Sequence, residues 1–290
     1  MTGAIELGGT KTVVAVGSGD GTITAQHRFP TTTPDETIAT AIKWLEGHGP
    51  LTALGVGAFG PVGVNMSHES YGRLLETPKP GWSGFDLVGS LGSSLEGVPV
   101  TLDTDVNAAA LAEYRLGAAR GVPNMAYITI GTGIGAGFLA NGQLIRGALH
   151  PEFGHLKVPR HPDDSFPGCC PYHGDCLEGL ASGTALRERW QKEARDLPAD
   201  DEAWNIEAWY LAHGVLAFLA ISCPSRVVIG GGVSQAEGFH ARVEELLRKL
   251  AAGYFASLEE NTPYIVPPAL GQDAGITGAL LSAALPKEPS

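Results

Sequence analysis

Cysteine is scarce in this chain. There are four in 290 residues, and three of them fall within one stretch, CCPYHGDCLEG, from Cys169 to Gly179. So few cysteines exclude a disulfide framework as the organising device of the fold. Positive charge is also short, with 19 Lys and Arg against 31 Asp and Glu and a net charge of −12. That balance lacks the electrostatic footprint of a nucleic-acid binder. No apolar run reaches the roughly 18 residues a membrane helix needs. The opening MTGAIELGG has neither a basic leader region nor a cleavage pattern, so no signal peptide is expected. The expected compartment is the cytoplasm, where thiols stay reduced unless a metal holds them.

Glycine is plentiful, at 40 residues. Many glycines cluster after β-like runs, where backbone must turn sharply or approach a ligand closely. Hydrophobic residues make up 43% and charged residues 17%, a mixture that suits a packed soluble protein rather than a disordered one. The length suffices for two lobes of ordinary size.

Ala4–Leu7, Val13–Val16 and Thr22–Phe29 read as a β-meander opening on the glycine turn GGTKT. Thr33, Pro34 and Glu36 then read as N-cap, first helical residue and capping-box partner, with Ile38, Ile42 and Leu45 forming the buried stripe. ALGVGAFGPVGV is strand then turn. VPVTLDTDVNAAALAEYRLG is strand, polar corner and Ala-rich helix. AYITIGTGIGAGFLANGQLI repeats the order of the first meander, which suggests an internal duplication, although any two hairpins share such features. IEAWYLAHGVLAFLAIS reads as a buried helix leading to the strand RVVIG, the turn GGGVS and a helix through VEELLRKL. A last helix, AGITGALLSAAL, precedes a polar tail. Alternating strands and helices place the chain in the α/β class.

The turns at 8–12 and 131–137 both follow apolar strands. Their glycines expose backbone N–H groups suited to phosphate, and Thr10, Lys11 and Thr132 add side-chain donors. Neither matches a P-loop, and neither opens a helix as a dinucleotide fingerprint does. Hairpins also use Gly and Thr for purely structural turns. With GGG at 230–232 they make three glycine corners that could surround a nucleotide. Asp105 stands where a strand gives way to a helix, as an N-cap or as a general base. Asp103 competes for either role, with spacing tilting towards Asp105. Glu152 and His155 lie three apart around a glycine, shortly before the cysteine cluster. Cys170, His173 and Cys176 form C-x-x-H-x-x-C, three soft ligands that need a fourth to close a tetrahedral zinc site, with His155 and His161 as candidates. A redox C-x-x-C is absent. A bridge between the neighbours Cys169 and Cys170 would be strained. Cys223, in an apolar helix, reads as a core residue.

Taken in order, IELGGTK, DVNAAALAE, ITIGTGIGAG, the E-x-G-H of Glu152 to His155, the loop ending CLEGLASG, and VVIGGGVS resemble the ROK family of sugar kinases and repressors. The match runs from about Ala4 to Leu285. Three departures place the chain within that family: Glu6 where Asp is usual, C-x-x-H-x-x-C where C-x-C-G-x-x-G-C is usual, and Thr104 where glucose kinases carry Asn. The first two resemble the bacterial fructokinase branch, and Thr104 speaks against glucose. The resemblance implies a two-lobed actin-like ATPase (ribonuclease H-like) fold with duplicated β-meander and helix units. One lobe would span 1–113 with 271–290, the other 114–270, and the two would close on a cleft.

The resemblance also implies an ATP-dependent hexose kinase acting at the 6-hydroxyl of fructose, with mannose, glucose or N-acetylmannosamine as alternative sugars. Asp105 would be the general base. Thr104, Glu152, His155 and Glu178 would contact the sugar. Gly8, Gly9, Thr10, Lys11, Thr12, Gly131, Thr132, Gly133 and Gly183 would hold ATP, and Gly230, Gly231 and Gly232 would pass under the adenosine. Glu6 would order Mg²⁺ through water, and His155, Cys170, His173 and Cys176 would bind Zn²⁺. The family's repressors carry a DNA-binding domain ahead of the first glycine motif, for which this chain shows no room, so neither a nucleic-acid nor a membrane partner is expected. A homodimer is expected.

Overall fold

A computed structural model describes residues 1–260 and 263–285. The polar tail expected after Leu285 lies outside the described residues. In chain order the elements are β1 (Thr2–Leu7), β2 (Lys11–Gly17), β3 (Ile23–Pro30), α1 (Pro34–Glu46), β4 (Ala53–Ala58), α2 (Leu87–Ser94), β5 (Val100–Thr104) and α3 (Asp105–Arg115). They continue with β6 (Met125–Ile130), β7 (Ile134–Ala140), β8 (Gln143–Leu144), α4 (Leu177–Ala181), α5 (Gly183–Trp190) and α6 (Ala203–Ser222). The chain ends with β9 (Arg226–Gly230), α7 (Phe239–Ala251), α8 (Ala256–Glu260), β10 (Ile265–Val266) and α9 (Ala274–Ala283). Among the described residues no helix is long and apolar enough to cross a membrane.

The chain forms two compact units: Met1–Arg115 with Leu144–Pro151 and Gln272–Ser290, and Leu116–Gln143 with Glu152–Gly271. The segment 144–151, assigned by the sequence reading to the second lobe, groups with the first unit. Its Arg146 pairs with Asp103, and the ring Nε2 of its His150 accepts the Val62 amide at 3.2 Å.

The first unit is built on a sheet of order β3-β2-β1-β4-β5. β1 and β2, and β2 and β3, run antiparallel; β1 and β4, and β4 and β5, run parallel. Side chains alternate across it as a pleat requires. Ile5, Leu7, Val14 and Val16 join Ile38, Ile42 and Leu45 of α1 in one core, while Ala4, Val13 and Ala15 pack with Ile276, Ala279 and Leu280 of α9 on the opposite face. α1 begins with Pro34 at its first position as expected, but Thr33 makes no side-chain cap bond. The hydroxyl of Thr37 instead accepts the Thr32 amide at 3.0 Å, which fixes the entry to the helix.

The second unit repeats this connectivity in a sheet of order β10-β9-β6-β7-β8. β6 pairs antiparallel with β7 and parallel with β9, and β9 pairs parallel with β10. The duplicated meander suggested by the sequence is therefore present as a repeated topology. α6 is apolar around its circumference, as suits a helix buried on most sides. Its end departs from expectation: Cys223 is exposed and adopts a left-handed conformation that caps the helix, so it is not a core residue.

Candidate active site

In the first unit the corner between β5 and α3 separates the roles of two neighbouring acids. Asp103 is 3% exposed and both its oxygens are occupied. Oδ1 accepts the Thr104 amide (2.8 Å) and Asn107 Nδ2 (2.6 Å). Oδ2 accepts Arg146 Nε (3.1 Å) and Nη2 (2.7 Å). An acid so fully paired is a structural anchor. Thr104 is 2% exposed, and its hydroxyl oxygen accepts the Asn107 amide at 3.1 Å, giving it the N-cap role. Asp105 retains a partly open edge, and its Oδ1 accepts the Val106 amide at 2.9 Å. Burial, reinforced by the negative charge of Glu6, pushes its pKa up to about 7. A carboxyl poised there can take up a proton near neutral pH.

Glu6, near the end of β1, packs against Gly275 at the start of α9 and accepts the Ile276 amide. Burial raises its pKa more than Lys11 and Arg28 lower it. Its Oε2 is buried without a hydrogen-bond partner among the described residues. Asp105, raised by burial and by the charge of Glu6, and Glu6 itself, raised by burial and left with an orphaned oxygen, fit a neighbouring divalent cation. The adjoining hairpin is closed by the Gly8 amide donating to Lys11 O (3.1 Å), and it leaves Gly9, Thr10 and Lys11 exposed. Thr12, expected at the phosphates, is fully buried, and its hydroxyl bonds that of Thr31 (2.8 Å), which donates to Gly8 O (2.7 Å). It supports the turn from behind.

The second unit gathers Glu178, Glu152 and the turn between β6 and β7. The Gly131 amide donates to Gly133 O at 2.9 Å, and Glu178 Oε2 accepts the Ile134 amide at 2.9 Å. Gly154 lies so close to Ile134 O that a side chain there would collide, which explains the glycine of E-x-G-H. Partial burial and then Glu178 push Glu152 up to about 7. Glu152 is nonetheless exposed, so water screens the pair. The start of α5 also rests on the turn: the Gly183 amide donates to Gly131 O (2.7 Å), and Thr184 Oγ1 donates to Thr132 O (2.9 Å). Gly231, in the GGG corner, has φ +91°, and a Cβ there would strike the backbone of Ile130. Each corner thus has a glycine that makes room for a close neighbour: Gly8 for Lys11 O, Gly133 for the Glu178 side chain and Gly231 for the Ile130 backbone.

His155, Cys170, His173 and Cys176 bring their ligand atoms within 4.8 Å of one another. His155 Nδ1 lies 3.8 Å from Cys170 Sγ, 3.6 Å from Cys176 Sγ and 3.3 Å from His173 Nδ1, and Cys170 Sγ lies 3.7 Å from His173 Nδ1. His155 is therefore the fourth member. His161 instead accepts the Asp163 amide at Nδ1 (3.2 Å) and meets the Trp209 ring edge-on. Burial pushes the Cys176 thiol up to about 11, so a thiolate there calls for a neighbouring cation. Cys169 stands outside this set.

Sequence reasoning missed Arg146 and Thr184. Arg146 sits in an irregular segment with no motif, 43 residues from the acid it pairs with. Thr184 follows the CLEGLASG motif, where its contact with the turn 52 residues earlier has no local signature.

The repeated sheet, with its glycine hairpins, is that of the actin-like ATPase fold, shared with a ROK hexokinase of Thermus thermophilus (TM-score 0.79, 30% identity, 97% of each chain covered). A ROK family glucokinase of Streptomyces griseus, solved with glucose and AMPPNP, matches with a TM-score of 0.74 at 27% identity over 97% of this chain and 98% of its own. The ROK family pattern covers residues 2–285, and the chain belongs to the ROK family. Fructokinases of Zymomonas mobilis and Pediococcus pentosaceus are 42% and 41% identical, over 96% and 98% of this chain and 94% and 97% of their own lengths.

Proposed function

We propose that the protein is an ATP-dependent fructokinase that transfers the γ-phosphoryl group to the 6-hydroxyl of fructose. The observation that carries this is Asp105, whose carboxyl is held near neutrality beside Glu6 while Asp103 is fully paired. Full-length similarity to fructokinases selects fructose over the sugars of the more distant hexokinase and glucokinase.

In this reading Asp105, when ionised, orients the 6-hydroxyl and accepts its proton as the oxygen attacks phosphorus. Phosphoryl transfer asks mainly for positioning and charge stabilisation, which suits such a site. Glu6 would hold Mg²⁺ through water, and that ion would neutralise phosphate charge. Gly8 to Lys11, Gly131 to Gly133 and Gly183 would bind the phosphates through backbone N–H groups and the Lys11 ammonium. Gly230 to Gly232 would pass under the adenosine. Glu152, His155 and Glu178 would hydrogen-bond the sugar.

The Cys/His cluster would hold Zn²⁺. Zn–S bonds of about 2.3 Å and Zn–N bonds of about 2.0–2.1 Å at tetrahedral angles give edges of about 3.3–3.4 Å between nitrogens and about 3.6 Å between nitrogen and sulfur. The nitrogen–nitrogen spacing of 3.3 Å and the three nitrogen–sulfur spacings of 3.6–3.8 Å fit those edges. Four protein ligands close the coordination shell, so the role is structural. Because His155 meets the cluster through Nδ1, its Nε2 is left for the sugar. The ATP requirement supports a cytoplasmic location. α6, which lacks a polar face and leaves Ile221 81% exposed at its end, supports assembly with a second copy of the chain.

An ADP-release assay across fructose, mannose, glucose and N-acetylmannosamine tests the reading. The highest kcat/KM is expected for fructose, and absence of phosphorylation of all four would reject the kinase assignment.

A further inference from the structure

Behind the metal loop the second unit buries a charged network that the proposed reaction does not use. Arg189, on α5, has a side chain 5% exposed, and its partners Asp164 and Glu207 are 3% and 0% exposed. The guanidinium grips Asp164 with Nε (3.1 Å) and Nη2 (2.9 Å), reaches Glu207 Oε1 with Nη1 (3.3 Å), and donates from Nη2 to Leu180 O (2.7 Å). The Tyr210 hydroxyl donates to Asp164 Oδ2 at 2.5 Å and accepts the His161 amide at 3.2 Å. The Phe166 ring lies 4.7 Å from the guanidinium carbon.

Such a network is poorly explained by stability alone. Apolar residues of similar volume often serve a core as well as a buried ion pair does, because desolvation offsets the Coulomb gain. What this network has that an apolar core would lack is direction. Its bond to Leu180 O reaches the C-terminal part of α4, a helix of five residues. The other end of α4 is capped by Cys176, a member of the metal cluster, whose carbonyl accepts the Leu180 amide at 3.0 Å. Glu178 lies between these two anchors, and its carboxylate accepts the Ile134 amide at the β6–β7 turn. A helix this short has little rigidity of its own.

We infer that Arg189 is a positioning residue: through Leu180 O, and braced by Asp164, Glu207 and Tyr210, it fixes the placement of Glu178 against the β6–β7 turn independently of the metal cluster. The link to sugar affinity rests on the fructokinase reading; the link to the turn does not. Lysine offers one compact ammonium and cannot meet the fork of acceptors that the guanidinium meets. Arg189→Lys should therefore raise KM for fructose about tenfold and leave KM for ATP within about twofold. It should speed hydrogen exchange of the Ile134 amide about tenfold while α7 amides keep their protection. Bound metal should be unchanged. Tyr210→Phe removes one donor to Asp164 and should move the same readouts in the same direction by about threefold. If Arg189→Lys does not fold, Tyr210→Phe decides.

The inference is overturned if fructose KM and Ile134 exchange stay at wild-type values in both variants. It is also overturned if both substrates' KM values or all amides change in parallel, or if the effect appears only with loss of metal. If the unmodified protein phosphorylates none of the four sugars, the kinase reading fails, and Ile134 exchange with metal content alone decides the positioning role.

Discussion

In the first unit Glu6 stands near the end of β1, paired in register with Gly57 of β4; in the second, Thr129 holds the matching place on β6, paired with Gly230 of β9. The fifth position of each sheet differs likewise. β5 runs into Asp105 and a helix, whereas β10 runs into Pro267 and Pro268. One connectivity thus carries two kinds of chemistry. The first unit leaves its acids raised in pKa, with one oxygen of Glu6 unpaired. The second ties its turn down, with Glu178 on the Ile134 amide and Gly183 on Gly131 O, and carries a four-residue Cys/His cluster whose Cys176 caps α4. Duplication supplied the frame; the first copy sets a buried acid beside an unpaired carboxylate oxygen, whereas the second hydrogen-bonds an acid to its turn and adds a Cys/His cluster.

The largest effect that would break this contrast is loss of Asp105. Asp105→Asn should lower kcat by about 10²–10⁴-fold while sparing fructose binding, as measured by steady-state kinetics and sugar titration. The same variant should be more heat-stable than wild type at alkaline pH. The folded pKa, about 7, lies above the ordinary value of 3.8, so the native state holds a proton that the unfolded chain has released. Wild-type stability from this group is therefore present at low pH and lost as pH rises through that window, whereas Asn does not titrate. Thermal melts across pH would show the gap widening up to about pH 7 and then levelling.

On the side of the second unit, Cys176→Ser, or chelation of the metal, should weaken fructose binding by about tenfold and ATP binding by less, because α4 loses its N-terminal anchor. Equal losses for both substrates would dissolve the distinction between the units. Glu6→Gln has a subtler expected outcome. It removes a charge that raises Asp105, so the acid limb of the kcat–pH profile should move to lower pH, and the Mg²⁺ concentration for half-maximal rate should rise. Cys169→Ser should change neither metal content nor kinetics, since Cys169 is outside the cluster.

Much of this was legible in the sequence where the signal is local. Both hairpins, the helix opening at Pro34 and the strand–corner–helix at Asp105 announce themselves through period and turn chemistry within a few residues. The ranking of Asp103 and Asp105 went no further than a tilt towards Asp105, because it depends on Arg146 arriving from 43 residues away. The choice between His155 and His161 depended in the same way on how the loop folds back. α4 and α5 were unread because elements of five and eight residues carry too few turns to show a period. Cys223 misled because its apolar helix ends there: a residue one turn earlier would have been inside. Thr33 had the spacing of a capping box, but Thr37 took over the bonding at that corner.

The central claim is that Asp105 is the group that takes up the proton from fructose. Side-by-side kcat profiles of wild type and Asp105→Asn on fructose, from about pH 5 to about pH 9, test it most directly. The account predicts a wild-type rate that rises with pH through about 7 and a variant that is slow throughout and lacks that rise. A variant with near-normal kcat, or one that keeps the same acid limb, would contradict it.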